Sequence, residues 1–174
     1  MRRSRALGIA FIAVAVAVGS ECSRNGDSEQ TLARIPLDSM EEVISRTGAS
    51  VDPDVSVDGH GSIRIDVSDS MTVRIAEIET PSLENARLIY RAHIRSADLH
   101  GKAYLEMWCV FPVRGEFFSR ALQSPLSGTN DWLTQETSFA LQKGQVPSQV
   151  KLNLVVEGKG TVWVDDAELV KGPL

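Results

Sequence analysis

The residues that could do chemistry fall in two places. Two adjacent acids, Asp165 and Asp166, follow the apolar run Thr161-Val162-Trp163-Val164. A carboxylate beside a core is costly unless it is paired, so acids at that point need a reason. A bound calcium ion is one reason; a strand whose acids stay solvated is the other. The second place is a polar and aromatic set: Arg91, His93, Arg95, Tyr104, Glu106, Trp108, Phe118 and Arg120. Rings among hydrogen-bonding groups suit a sugar, whose C–H face stacks on a ring and whose hydroxyls pair with Arg and Glu. The same set also suits a solvated sheet face with local pairs, Arg91 with Trp108 and His93 with Glu106.

Catalytic patterns are missing from the sequence. His60, His93 and His100 are scattered and lack the spacing of metal ligands. Gly158-Lys159-Gly160-Thr161 ends like a phosphate loop, but Asn153 stands where the upstream glycine belongs, and a strand-like run follows it rather than a helix. No Gly-x-Ser-x-Gly elbow occurs. Glycoside hydrolysis needs two carboxylates, and Glu106 has no identifiable partner in the sequence. The expectation is therefore a protein that is not an enzyme; a small hydrolase built on Glu106 is the remote rival.

Several segments must deliver these residues to their place. Residues 1–20 carry Arg2, Arg3 and Arg5, then the uncharged run Ala6 to Val18, then Val18-Gly19-Ser20. This is the pattern of a bacterial export signal. Cys22 sits where a lipoprotein precursor carries its lipidated cysteine, although Glu21 departs from the small-residue consensus. Two products are open: a soluble periplasmic or secreted protein, or one anchored to a membrane by acylation at Cys22. Residues 21–36 are polar and read as a flexible tether. The formal charge is −5, and removing the leader with its arginines makes the remainder more acidic. With no basic cluster left, nucleic acid is excluded as a partner. Cys109 lies in the apolar run Met107 to Phe111 and reads as a buried thiol, so the fold must stand without a disulfide.

Residues 37–174 read as one all-β domain. Short alternating runs recur at Ser62–Val67, Met71–Glu79, Arg87–Ser96, Lys102–Phe111, Glu116–Leu122, Trp132–Leu141, Gln149–Glu157 and Thr161–Val170, with turn residues between them. Ser39-Met40-Glu41-Glu42 could open a helical turn, but Val43-Ile44 favours a first strand. If Arg87–Ser96 turns back through Ala97–Gly101 onto Lys102–Phe111, then Tyr90, Ala92, Ile94, Leu105, Met107 and Cys109 form an apolar face. The opposite face then gathers Arg91, Tyr104, Glu106 and Trp108, with Arg120 added by the next hairpin. Gly158-Lys159-Gly160 reads as a hairpin turn. Trp132 and Trp163 read as packing residues.

Several stretches together carry a resemblance: Asp58-Gly59-x-Gly61-Ser62-Ile63-x-Ile65, Tyr104-Leu105-Glu106-Met107-Trp108, Gly128-Thr129-x-Asp131-Trp132 and Gly160-Thr161-Val162-Trp163-Val164-Asp165-Asp166-Ala167-Glu168-Leu169. Residues 38–174 resemble the galactose-binding-like jelly roll of bacterial carbohydrate-binding modules, and also small exported bacterial proteins. The resemblance implies an antiparallel jelly-roll β-sandwich. It further implies a structural calcium between the first and last strands, with Asp165 as the best match and Asp166 as second choice. The Asp58–Ser62 turn could add ligands, while Asp38 and Glu41 only loosely replace the usual N-terminal segment. The expected function is a non-catalytic exported module that binds carbohydrate or a surface glycan through Arg91, Tyr104, Glu106, Trp108 and Arg120. The alternative is an envelope lipoprotein whose same face meets a protein partner.

Overall fold

A computed structural model describes residues 28–80 and 82–174. The leader and Cys22 lie outside the described residues. Eight strands account for most of the rest: β1 (Gln30–Ile35), β2 (Ala49–Asp52), β3 (Ser62–Val67), β4 (Met71–Glu79), β5 (Ala86–Phe111), β6 (Gly115–Arg120), β7 (Leu126–Leu141) and β8 (Gln149–Gly172). The architecture is an all-β, antiparallel jelly-roll sandwich.

Two very long strands organise it. β5 has 26 residues and β8 has 24, and they pair antiparallel from Arg87↔Gly172 to Val110↔Gln149. Each serves both layers of the sandwich. The first half of β5 and the second half of β8 form the middle of one layer, flanked by β7 on one side and by β1 and β3 on the other, with β2 outside β3. The second half of β5 and the first half of β8 form the middle of the other layer, flanked by β6 and β4.

The change of layer occurs at glycines. Gly101, Gly158 and Gly160 all have positive φ, at +143, +112 and +145°. A Cβ on Gly101 would lie 1.8 Å from the Glu157 carbonyl oxygen, and one on Gly158 would lie 2.1 Å from that of His100. The ribbon therefore bends where two backbones touch, a geometry that only glycine permits. A bulge at the same corner pairs Ala97 with Thr161 and His100 with Lys159, with Asp98 at φ +49°.

This corner corrects the sequence reading. His100-Gly101 and Gly158-Lys159-Gly160 are not hairpin turns; both are bends inside single strands. Arg87–Ser96 does not pair with Lys102–Phe111. Tyr90, Ala92 and Ile94 still meet Leu105, Met107 and Cys109 in the core, as residues of opposite layers rather than neighbours on one sheet. Ile63, Ile65, Val73, Ile75, Leu152, Leu154, Val162 and Val164 complete that core. Burial pushes the Cys109 thiol up to about 12, which makes it inert.

Two N-terminal readings also change. β1 lies inside the stretch read as a tether, where it extends the β8 edge beyond β3 through Gln30↔Lys171 to Ile35↔Ala167. A register shift between Thr31 and Ala33 breaks its alternation, which hides the strand in the sequence. Residues Met40–Glu42 form a 3-10 turn rather than a strand starting at Val43. The Ser39 side chain does not cap it; the Asp38 amide donates to the Glu42 carboxylate at 3.0 Å.

The corner yields a graded test. Gly158→Ala should destabilise the domain by about 3 kcal/mol or more, because both the backbone contact and the positive φ are violated. Gly144→Ala, at φ +80° with open space around it, should cost only about 1 kcal/mol. Urea denaturation midpoints of the two variants would settle the order, and equal losses would refute the corner.

Candidate functional site

The outer face of the second layer brings four of the five predicted ligand residues together. In antiparallel pairing, directly opposed residues share a side. One row across this layer reads Arg74, Asn153, Glu106, Arg120. The next reads Glu77, Lys151, Trp108, Phe118. Tyr104 stands in the following row beside Val155.

Glu106 is the hub. It is only 4% exposed, yet it accepts three hydrogen bonds. Trp108 Nε1 donates to Oε1 at 2.6 Å, Asn153 Nδ2 to Oε1 at 2.9 Å, and Arg120 Nε to Oε2 at 2.6 Å. Burial alone would push this carboxyl up, but the three donors outweigh it and hold the group below the usual carboxylate range. Asn153 is fixed in turn by Arg74 Nε at 2.6 Å, and Arg74 pairs with Glu77. The network turns the Trp108 ring and the Arg120 guanidinium to fixed positions.

What remains accessible is narrower than the predicted set. Trp108 is half-buried, and its ring lies 4.9 Å from that of Phe118, tilted by 45°. Phe118 is 48% exposed. The Arg120 guanidinium sits 4.3 Å over the Phe118 ring. Among the described residues its Nη groups have no protein partner. Tyr104, by contrast, is buried beneath Lys102, with its hydroxyl donating to Glu157 Oε1 at 2.7 Å. It supports the face but offers no ring.

Arg91 is not part of this site. It lies on the outer face of the first layer, because the hairpin that would have joined it to Trp108 is a corner instead. Three carboxylates surround it: Glu29 at 3.3 Å, Glu136 at 3.2 Å and Glu168 at 3.1 Å. His93 and Arg95 share that layer, with Arg95 and Arg64 both stacked on the Trp163 ring. Trp163 is 7% exposed and donates to Asp52 at 2.9 Å, so it is a packing residue as read.

The acid pair is more unusual. Asp165 pairs with His93 on the outer side of the first layer, not on the core side that simple alternation with Ala167 and Leu169 suggests. A bulge at Asp166, with φ +46°, switches the side between Asp165 and Ala167. The loop before β3 then covers Asp165 completely: Val57 N donates to it at 2.7 Å, and Asp166 N at 2.9 Å. Burial pushes the Asp165 carboxyl up to about 6; the two amides oppose this, and the charges of Asp166 and Asp58 add to it. Nearby, Asp38, Asp58 and His60 bring their ligand atoms within 4.8 Å of one another. Asp38 Oδ1 is buried with no hydrogen-bond partner. Asp165 and Asp166 lie outside that group.

Sequence reasoning missed Arg74 and Asn153; it named Asp38 and the Asp58–Ser62 turn as possible calcium ligands, and the structure brings Asp38, Asp58 and His60 together. Asn153 had a signal, since it interrupts the apolar run Leu152 to Val156.

No protein-family model and no curated protein matches this sequence. Solved structures do match in fold. The CBM22-1 xylan-binding domain from Paenibacillus barcinonensis superposes with a TM-score of 0.60 at 9% identity, covering 84% of this chain and 97% of that one. The CBM22-1–GH10 modules of a Clostridium thermocellum endo-1,4-beta-D-xylanase, complexed with xylohexaose, give 0.59 at 8% identity, covering 82% of this chain and 28% of that one. A family 16 carbohydrate-binding module gives 0.51 at 13% identity, covering 70% and 84%. The chain thus shares the jelly-roll fold of carbohydrate-binding modules.

The Asp165 carboxyl predicts a pH effect with a definite sign. Its folded value lies above the ordinary 3.8, so the folded state holds the proton more tightly than the unfolded one. Stability should fall as pH rises from 4 to 6 and level off above, by a total on the order of 3 kcal/mol. Asp165→Asn should flatten that slope in denaturant titrations done in a chelator.

Proposed function

We propose that this protein is an exported, non-catalytic module that binds carbohydrate or a surface glycan on the outer face of its second layer. One observation carries the reading: the Trp108–Phe118 platform, with Arg120 held beside it by a buried carboxylate. A pyranose ring laid on two tilted rings buries its C–H face, while the free Nη groups of Arg120 reach its hydroxyls. Glu106 positions these groups and makes a poor acid catalyst, since both its oxygens are committed and its proton is lost early. The fold neighbours named for xylan and for carbohydrate binding support the ligand class. They lend nothing to the envelope protein-interaction alternative.

On this reading the leader exports the chain, and acylation at Cys22 would hold it at a membrane. Mass spectrometry of the exported form would settle the anchor.

Trp108→Ala should weaken retention in affinity gels containing xylan, mannan or an envelope glycan by about tenfold or more, close to 1.4 kcal/mol. Arg120→Ala should do the same, and should also lower the melting temperature because it leaves the buried Glu106 carboxylate without its counter-charge, so retention is compared well below that temperature. Retention of every polysaccharide at wild-type strength by both variants would refute the site.

A calcium ion also fits the group under the β3 loop. The buried Asp38 Oδ1 has no hydrogen-bond partner, Asp58 brings a second carboxylate to it, and Asp165 and Asp166 add acids next to Asp58. The two carboxylates suit calcium, with the His60 nitrogen left outside its shell on Asp58. Asp38 and Asp58 would hold the ion, and its charge would fasten the loop to the last strand. The expected result is a rise of several degrees in melting temperature on adding calcium chloride, abolished in Asp38→Asn. An unchanged melting temperature would remove calcium from the account.

A further inference from the structure

β6 and β7 are both edge strands, each paired only with β5 among the described residues. β6 ends the second layer and β7 ends the first, so the two edges face each other across the open side of the sandwich. A cleft of about 390 Å³ lies between them, lined by Ser119, Arg120, Gln123, Ser124, Glu136 and Ser138 among others. That volume falls within the range of ordinary ligand sites, about 300 to 1,000 Å³.

Its chemistry is selective. The lining contains hydroxyl, amide, guanidinium and carboxylate groups and no aromatic ring. An apolar ligand would gain little there. Arg120 is already paired with Glu106, and Glu136 with Arg91, so no free ion pair awaits an ionic ligand. Ser119 Oγ is buried with no hydrogen-bond partner, a state that polar groups in folded proteins rarely keep. The wall behind it is rigid. Gln135, itself buried, accepts from Leu105 N at 2.6 Å and donates to the Ser124 carbonyl at 2.7 Å, tying β7, β5 and the chain after β6 together.

We infer that this edge cleft is a second binding site, for a neutral, hydroxyl-rich ligand: a saccharide unit whose hydroxyls pair with Gln123, Ser124 and Ser138. It is separate from the Trp108–Phe118 platform and shares only Arg120 with it. The inference rests on the proposed function for its ligand class alone. A polymer could occupy platform and cleft together, and the linkage would raise its apparent affinity beyond that of either site.

Titration of the ¹⁵N-labelled exported chain with xylohexaose and with mannohexaose, followed by amide shifts, separates the two sites. The expected result is movement of the Ser119, Ser124 and Ser138 amides that persists in Trp108→Ala. In Ser138→Trp, which fills the cleft from its rim, the cleft shifts should require about tenfold more probe, while the Trp108 and Phe118 amides respond as in wild type. Should that variant fail to fold, Gln123→Ala serves the same comparison. Platform shifts with silent cleft amides would overturn the second site and leave the first standing. Cleft shifts alone would do the reverse. Cleft shifts that vanish in Trp108→Ala would show mere coupling through Arg120 and overturn the inference.

Discussion

The close backbone contact between β5 and β8 at Gly101 and Gly158 is the constraint on which the other elements depend. A flat antiparallel ribbon of this length would expose one of its faces to water. Bent at the middle, it folds its two apolar halves against each other, so that Tyr90, Ala92 and Ile94 meet Leu105, Met107 and Cys109. The remaining strands then add at the four free edges of the ribbon's halves: β7, β1 with β3, β6 and β4. The bend also sets function apart by layer. It sends Arg91, His93 and Arg95 to one outer surface and Glu106 and Trp108 to the other, although a single strand carries all five.

The second layer owes its site to one buried charge. A carboxylate as enclosed as Glu106 is tolerated only when its lone pairs are filled. Here the donors that fill them are the groups a ligand would touch or lean on. Trp108 cannot swing without breaking the Nε1 bond, and Arg120 keeps its guanidinium over Phe118 because Nε is held below. Rigid aromatic and guanidinium groups lose little freedom on binding, so even a modest platform can hold a sugar. Removing the Glu106 carboxylate would therefore act on the ligand indirectly, through the two groups it orients.

The sequence reveals local strand character more readily than pairing. β3 and β4 match the alternating runs Ser62–Val67 and Met71–Glu79 to their ends, because each has one face in the core and one in water. Gly101, Gly158 and Gly160 are visible as punctuation, but a positive-φ glycine looks the same in a hairpin turn and in a bend. Which one it makes depends on a partner far away in the chain, and the alternating pattern is silent on that. Arg91 was misassigned for this reason, whereas Trp108, Glu106 and Arg120 were not, since their hairpin is short and its side pattern survives a shift of register by two. Asp165 shows a different limit. A one-residue bulge at Asp166 sets Asp165 on the side opposite Ala167 and Leu169, a change of count that leaves no compositional trace.

The two outer surfaces differ in what they leave unsatisfied, and this difference supports the second layer as the proposed binding face. On the first layer Arg91 is saturated by Glu29, Glu136 and Glu168, Arg64 is clasped by Asp66, and Trp163 lies beneath Arg64 and Arg95. Arg91, Arg64 and Arg95 each have a carboxylate within 4 Å, and Trp163 is nearly sealed from solvent. On the second layer the same residue types are arranged the other way. The carboxylate is underneath, the tryptophan and phenylalanine are at the surface, and the guanidinium keeps two donor nitrogens free. A face whose polar groups are already paired can offer a sugar only an exchange of partners, with no net gain in hydrogen bonding. A face with an exposed ring pair and unused donors offers burial and new bonds together. The ordering of burial, carboxylate in and aromatics out, is what separates a recognition surface from a stabilised one in this fold.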